Sequence, residues 1–300
     1  MPRNNQFLGI IAVIIAAVLW GTTGVSASFA PEVSPIAIGS MAMGVGGLLQ
    51  TVIAIKSIHI YRFNLYKNWQ YVLCGGLSVA IYPLAFYASM RMAGVTIGTV
   101  ISIGSAPLLS AIIEAIMEKA RFSIKWIIGA SLGILGIALL SFAGQGHHTV
   151  NTEHTNITIG IGLALLAGLT YALYSWIARY LMMQHIQSKA AMGSIFGLGG
   201  LLLMPVLFLT GSAFLNSWNN AAVGVYMALI PMFLGYICFG FGLARIATST
   251  AIIITLFEPI VAALLAVTII NENLSGLGWL GVILIFLCLV CVITPTRKKT

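Results

Sequence analysis

Aspartate is absent from the 300-residue chain. The six acidic side chains are all glutamates (Glu32, Glu114, Glu118, Glu153, Glu258 and Glu272), and charged residues of both signs make up only 7% of the sequence. A soluble globular domain carries about 25%. So few charges cannot clothe a water-facing surface of this size, which excludes a soluble enzyme, a nucleic-acid binder and a disordered chain. A hydrophobic content of 60% and a mean hydropathy of +1.04 make lipid the natural solvent. The four cysteines, Cys74, Cys238, Cys288 and Cys291, all fall inside apolar runs. Disulfide frameworks belong to small secreted domains with paired thiols, so none is expected. A Walker-type phosphate loop is also missing, which argues against ATP hydrolysis by this chain.

What is present is a series of apolar runs. A bilayer core of about 30 Å takes roughly 20 residues of helix. Ten runs meet that length or approach it: 7–29, 35–55, 69–90, 95–117, 126–142, 158–183, 190–210, 221–243, 247–270 and 277–294. The longest links are 56–68, 143–157 and 211–220, too short for a soluble domain. A signal-peptide core is only about 7–15 residues long, so the first run is expected to be a retained span. With the N-terminus in the cytoplasm, Arg91 alone among the 14 Lys and Arg lies outside. The positive-inside rule therefore places both termini in the cytoplasm. Trp69, Trp126, Trp218 and Trp279 fall at span ends, where amphipathic rings prefer the membrane interface.

The two halves echo each other. Tyr82 to Arg91 (YPLAFYASMR) has the spacing of Tyr236 to Arg245 (YICFGFGLAR), with aromatics matching at Tyr87 and Phe241. Ser105-Ala106-Pro107 is matched by Phe257-Glu258-Pro259, and Gly129 and Gly281 follow their prolines at equal distance. VLWGTTGVSASF (18–29) likewise echoes GLTYALYSWIAR (168–179). Five spans per half is an odd number, so the second half enters the membrane from the opposite side. Such inverted repeats recur in secondary transporters, where two packings of similar halves expose a midplane site to either compartment in turn. The expected fold is all-α, with ten transmembrane helices in two inverted five-helix repeats. Its parts are residues 1–142, an external linker 143–157, residues 158–294 and a basic tail 295–300.

These residues resemble the EamA-type branch of the bacterial drug/metabolite transporter superfamily. The resemblance rests on Leu19-Trp20-Gly21, on Ala172 and Tyr174 through Arg179, on Glu258-Pro259, on Asn271-Glu272-Asn273-Leu274, and on Gly281. The first half departs from the pattern, with Ala106 before Pro107 and Glu118 two places short of the position matching Glu272. The resemblance implies a basket of helices around a central cavity, lined by spans 1–4 and 6–9. It also implies export of small metabolites, often amino acids or related compounds, from the bacterial inner membrane.

Glu258 is the sharpest candidate residue. It lies near mid-span, where a charged carboxylate costs about 2.5–3.5 kcal/mol on insertion scales. It could exchange a proton in each cycle or bind an ammonium group; it could also be a neutral packing residue. Pro107 and Pro259 each remove a backbone donor and are expected to kink their helices. Trp20, Thr22, Thr23, Tyr82, Tyr87, Ser105, Tyr171, Tyr174 and Tyr236 are candidate cavity residues beside Glu258, against a reading as ordinary helix packing. Glu114 is expected to snorkel toward water or to pair with Lys119. Arg91 and Arg245 suit the negative ends of their helices.

Other patterns carry little. His147, His148, Glu153 and His154 share a loop without metal-site spacing. Cys288 and Cys291 stand at helical spacing and are expected to face lipid. Gly129, Ser131 and Gly133 match a nucleophile-elbow pattern, yet they sit in an apolar helix with no Asp to complete a triad. No catalysis, cofactor or metal is expected. The expected partners are a small-molecule solute and the lipid bilayer, with self-association left open and nucleic acid excluded. A membrane subunit or sensor without transport is the alternative, and an intramembrane enzyme a more distant one.

Overall fold

The computed structural model of the protein describes residues 3–143, 156–271 and 273–294. The loop histidines, Glu153, Glu272 and the basic tail lie outside the described residues. Ten helices long and apolar enough to cross a membrane follow in order: α1 Asn4–Ser28, α2 Pro35–Ile60, α3 Trp69–Ala93, α4 Val95–Met117, α5 Ile124–Ala143, α6 Ile157–Met183, α7 Ser188–Leu215, α8 Trp218–Leu243, α9 Thr248–Ile269 and α10 Gly276–Ile293. The expected runs 35–55, 190–210 and 221–243 underestimate their helices. α2 continues to Ile60 and is followed by a short helix, Arg62–Lys67. Residues Gly211–Leu215 close α7 as a 3-10 turn. Polar residues in these stretches lowered the local hydropathy without breaking the backbone ladder.

Local chemistry sets the ends. Ser34, Ser217 and Ser275 accept hydrogen bonds from Ala37, Asn220 and Gly278 amides, satisfying donors that a helix start leaves orphaned. Pro35 follows Ser34 at the first helical position, where its missing N–H is no loss. The α3–α4 link is a single residue, Gly94, at φ +89° and ψ 153°. That conformation is essentially confined to glycine, so the tightest link depends on one residue. The four interface tryptophans fall in the first turns of α3, α5, α8 and α10, and Trp218 is 93% exposed.

The links make neighbouring helices antiparallel. Call the end of the bundle where α1 begins the first end. The start of α9 and the C-termini of α6 and α8 meet the end of α4 there, so α6 begins at the second end. α1 packs on α8 and α9, as α6 packs on α3 and α4. α2 packs on α7, and α5 on α10. Exchanging α1–α5 with α6–α10 leaves this pairing unchanged.

Small residues let the helices approach closely. A Cβ on Gly136 would stand 2.7 Å from the Gly281 carbonyl oxygen, and one on Gly281 2.6 Å from that of Gly136. Gly129 and Gly133 lie against Val292 and Cys288, so that pattern serves packing. Cys288 is consequently buried rather than facing lipid, and only Cys291 is partly exposed. Apolar side chains such as Leu8, Ile15, Val52, Phe208 and Leu209 are exposed on the bundle's outside, where lipid would cover them.

Candidate functional site

Irregular backbone gathers around the middle of the bundle. α1 tightens at Thr22, whose amide and hydroxyl both donate to the Leu19 carbonyl, at 3.3 and 2.7 Å. α2 and α8 contain π segments, Met41–Val45 and Ala228–Leu234, which pack on each other. Pro231 lies in the second, and its carbonyl accepts a 2.8 Å hydrogen bond from the Trp20 indole. α9 is interrupted between Ile254 and Phe257. Pro259 cannot donate to the Thr255 carbonyl, and the Glu258 amide bonds it instead at 2.9 Å. α4, by contrast, runs continuously through Pro107. The helix is therefore interrupted just before its proline in α9 and continuous through its proline in α4.

The side chains of the first turn after the α9 break define the site. Glu258 is the eleventh residue of α9 and is half-buried. Among the described residues its carboxylate has no hydrogen-bond partner. It lies within electrostatic reach of Tyr82, Tyr87, Tyr171 and Tyr236. Gly21 of α1 lies directly against the Glu258 backbone: a Cβ there would stand 2.9 Å from its carbonyl oxygen. Gly168 of α6 approaches Ser102 and Ser105 of α4 in the same way.

Tyr82, Tyr171 and Tyr236 belong to a continuous aromatic chain. Trp20 stacks obliquely on Tyr236 with centroids 4.7 Å apart, and Tyr236 meets Tyr174 at 6.2 Å. Tyr174 leads to Tyr171 at 5.4 Å, Tyr171 to Tyr82 at 5.6 Å, and Tyr82 to Phe86 at 6.0 Å. The candidates separate by what their polar atoms do. Tyr174 and Tyr236 share a 2.7 Å hydroxyl–hydroxyl bond, and both are buried. Tyr171 bonds Thr255 at 3.0 Å; because Thr255 itself donates to Ile252, the phenol is the donor. Tyr226 donates to Thr22 at 2.9 Å. Trp20, Tyr171, Tyr174 and Tyr236 thus form a satisfied wall, whereas Thr22, Thr23, Tyr82, Tyr87, Ser105 and Glu258 are half-buried. The Tyr82 and Tyr87 hydroxyls have no partner among the described residues.

The first end is tied across the halves. Glu114 is 2% exposed and neither snorkels nor pairs with Lys119. Its carboxylate accepts from the Thr248 amide at 2.6 Å, the Ser249 amide at 3.2 Å and the Ser249 hydroxyl at 2.5 Å, so it caps α9 from α4. An anion at a helix N-terminus also complements the helix dipole. Trp176 donates to Glu118 at 2.9 Å, and Arg179 donates to the carbonyls of Leu243 and Ile246, closing the end of α8. Arg245 lies over the Phe241 ring. Both halves of α9 pack on α1 and α10, whereas only its N-terminal half also packs on α4. α4 and α9 therefore join at the first end and part toward the second. Sequence reasoning missed the Glu114 cap, Thr255 and Phe86; only Phe86 left a trace, at helical spacing from Tyr82.

This is an all-helical, multi-pass membrane protein with a polar site held inside its helix bundle. The chain belongs to the EamA-like transporter family, which matches residues 7–142 and 158–294, and so it is a transporter of the drug/metabolite superfamily in the bacterial inner membrane. It is 31% identical over 292 residues to the uncharacterized transporter YwfM of Bacillus subtilis, covering 96% of this chain and 94% of that protein. It is 24% identical to the uncharacterized inner membrane transporter YicL of Salmonella typhimurium, covering 97% of each. The threonine/homoserine exporter RhtA of Escherichia coli K12 is 23% identical over 94% of this chain and 90% of its own length. A solved crystal structure shares the fold, with a TM-score of 0.76 over 98% of this chain and 97% of that one at 16% identity.

Proposed function

We propose that the protein exports small amphipathic metabolites by alternating access. In this reading residues 1–142 and 158–294 are inverted repeats, joined by the linker 143–157 and followed by the basic tail 295–300. The first end, with both termini, is cytoplasmic. The unchanged helix pairing on exchange of the halves supports the duplication, and the basic residues support the orientation. The observation that carries the proposal is the divergence of α4 and α9, since bonds between the halves also close the second end, from Asn219 to the Phe29 carbonyl and from Tyr226 to Thr22. Glu114, Glu118 and Arg179 tie the first end, while Glu258 and its half-buried neighbours sit where α4 and α9 separate. Exchange of access would require the α4–α9 cap to break and the opposite halves of these helices to meet.

Glu258 is the group through which a proton or a cationic solute would couple to this exchange, since burial penalises its charged form unless a partner arrives. The exporter names of relatives such as RhtA make amino acids and related compounds the first solutes to try. The test begins with the compounds that accumulate outside cells overexpressing the protein, compared with cells lacking it. Those compounds should leave loaded proteoliposomes faster than protein-free vesicles. Equal rates for every such compound would overturn the proposal.

A further inference from the structure

We infer that Glu258, Tyr82 and Tyr87 together select an organic monocation, an amine or quaternary ammonium on a ring-sized apolar body, over a zwitterionic amino acid of the same size. The inference rests on the transport reading above and narrows its solute class. Two observations carry it. The first is which polar groups the fold leaves unused. Most hydroxyls of the aromatic chain are bonded within the protein, Tyr171 to Thr255 and Tyr174 to Tyr236, and Tyr226 is bonded to Thr22. Glu258, Tyr82 and Tyr87 are half-buried, and among the described residues they have no partners. All three unused groups can accept hydrogen bonds from a protonated amine, and the carboxylate attracts a quaternary ammonium by charge alone. Tyr82, Phe86 and Tyr87 add ring faces in succession, with centroids 6.0 and 5.4 Å apart. A cation held between such faces and a carboxylate gains from both the ring quadrupoles and the charge.

The second observation is the lack of a matching base. Among the described residues, every Lys and Arg lies at or beyond a helix end. Arg179 is engaged by the Leu243 and Ile246 carbonyls at the first end, and Arg91 is exposed at the far end of α3. An amino acid placed with its ammonium on Glu258 would bring a carboxylate into an aromatic surrounding with no countercharge. A desolvated charge without a partner is costly. An amine lacking that carboxylate avoids the cost, so the site discriminates by what it omits.

Binding to the purified full chain, measured by isothermal titration calorimetry, tests this with three probes of one size: benzyltrimethylammonium, phenylalanine and phenylacetate. The cation is expected to bind roughly tenfold or more tightly than phenylalanine, and phenylacetate not measurably. Glu258→Gln should weaken the cation by at least about tenfold with an unaltered elution profile. If that variant fails to fold, Tyr87→Leu serves instead and should weaken the cation several-fold. Phenylalanine binding as tightly as the cation, or cation binding unaffected in the variants, would overturn the inference. Flux in proteoliposomes separates the two proposals. Cation binding without flux of any solute would sink the transport reading and leave the selectivity standing. Flux of phenylalanine matching that of the cation would do the reverse.

Discussion

α4 and α9 carry a proline at matching depth, yet they end as different devices. α4 has Ala106 before its proline, remains one continuous helix and presents its only buried carboxylate, Glu114, near its end. α9 has Glu258 before its proline and breaks just upstream. A proline alone therefore does not open a helix. In α9 the residue four before the proline is Thr255, whose hydroxyl donates to Ile252 and accepts from Tyr171. These bonds hold the turn in its irregular form and compensate for the lost ladder bond. In α4 the corresponding residue is Ile103, which offers no such support. The difference concentrates irregular backbone and charge in one helix and makes the other its brace.

That contrast can be broken by substitution. Glu258→Gln should have the largest effect, with solute flux falling to the protein-free level while the melting temperature holds, as flux and thermal unfolding of one preparation would show. Ala106→Glu gives α4 the missing carboxylate. Ala106 is fully buried and Gly168 packs beside it, so the change should cost about 3 kcal/mol and lower the melting temperature without restoring flux to Glu258→Gln. Glu114→Ala removes the cap that joins the two helices. It should cost about 1–2 kcal/mol, with Glu114→Gln losing less because it retains an acceptor for the Thr248 amide. Thr255→Val removes the local support of the break together with the acceptor of the Tyr171 hydroxyl, and a loss of about 1 kcal/mol is expected.

The sequence revealed different parts of this arrangement to different degrees. Hydropathy located every span because lipid demands apolar length, and the tryptophans marked helix ends because ring amphipathicity is a local property. Glu258 stood out because a mid-span carboxylate is costly. Glu114 did not. One turn from a helix end, a carboxylate reads as an interface group, and its partners Thr248 and Ser249 come from the other half of the chain. Cys288 was misplaced for a related reason. α10 is apolar on every side, so the notches left by Gly129, Gly133 and Gly136 of α5 decide which face is buried. The π segment in α2 contains no proline and emerges only through packing on α8.

The most direct test of alternating access is to fix the first end. In a chain whose four native cysteines are replaced by serine, Glu114→Cys and Ser249→Cys place thiols across the α4–α9 contact. A short bis-methanethiosulfonate can join them reversibly. The expected result is that flux falls to background when the link is complete and returns to the unlinked level on reduction. Undiminished flux through a fully linked protein would contradict the account.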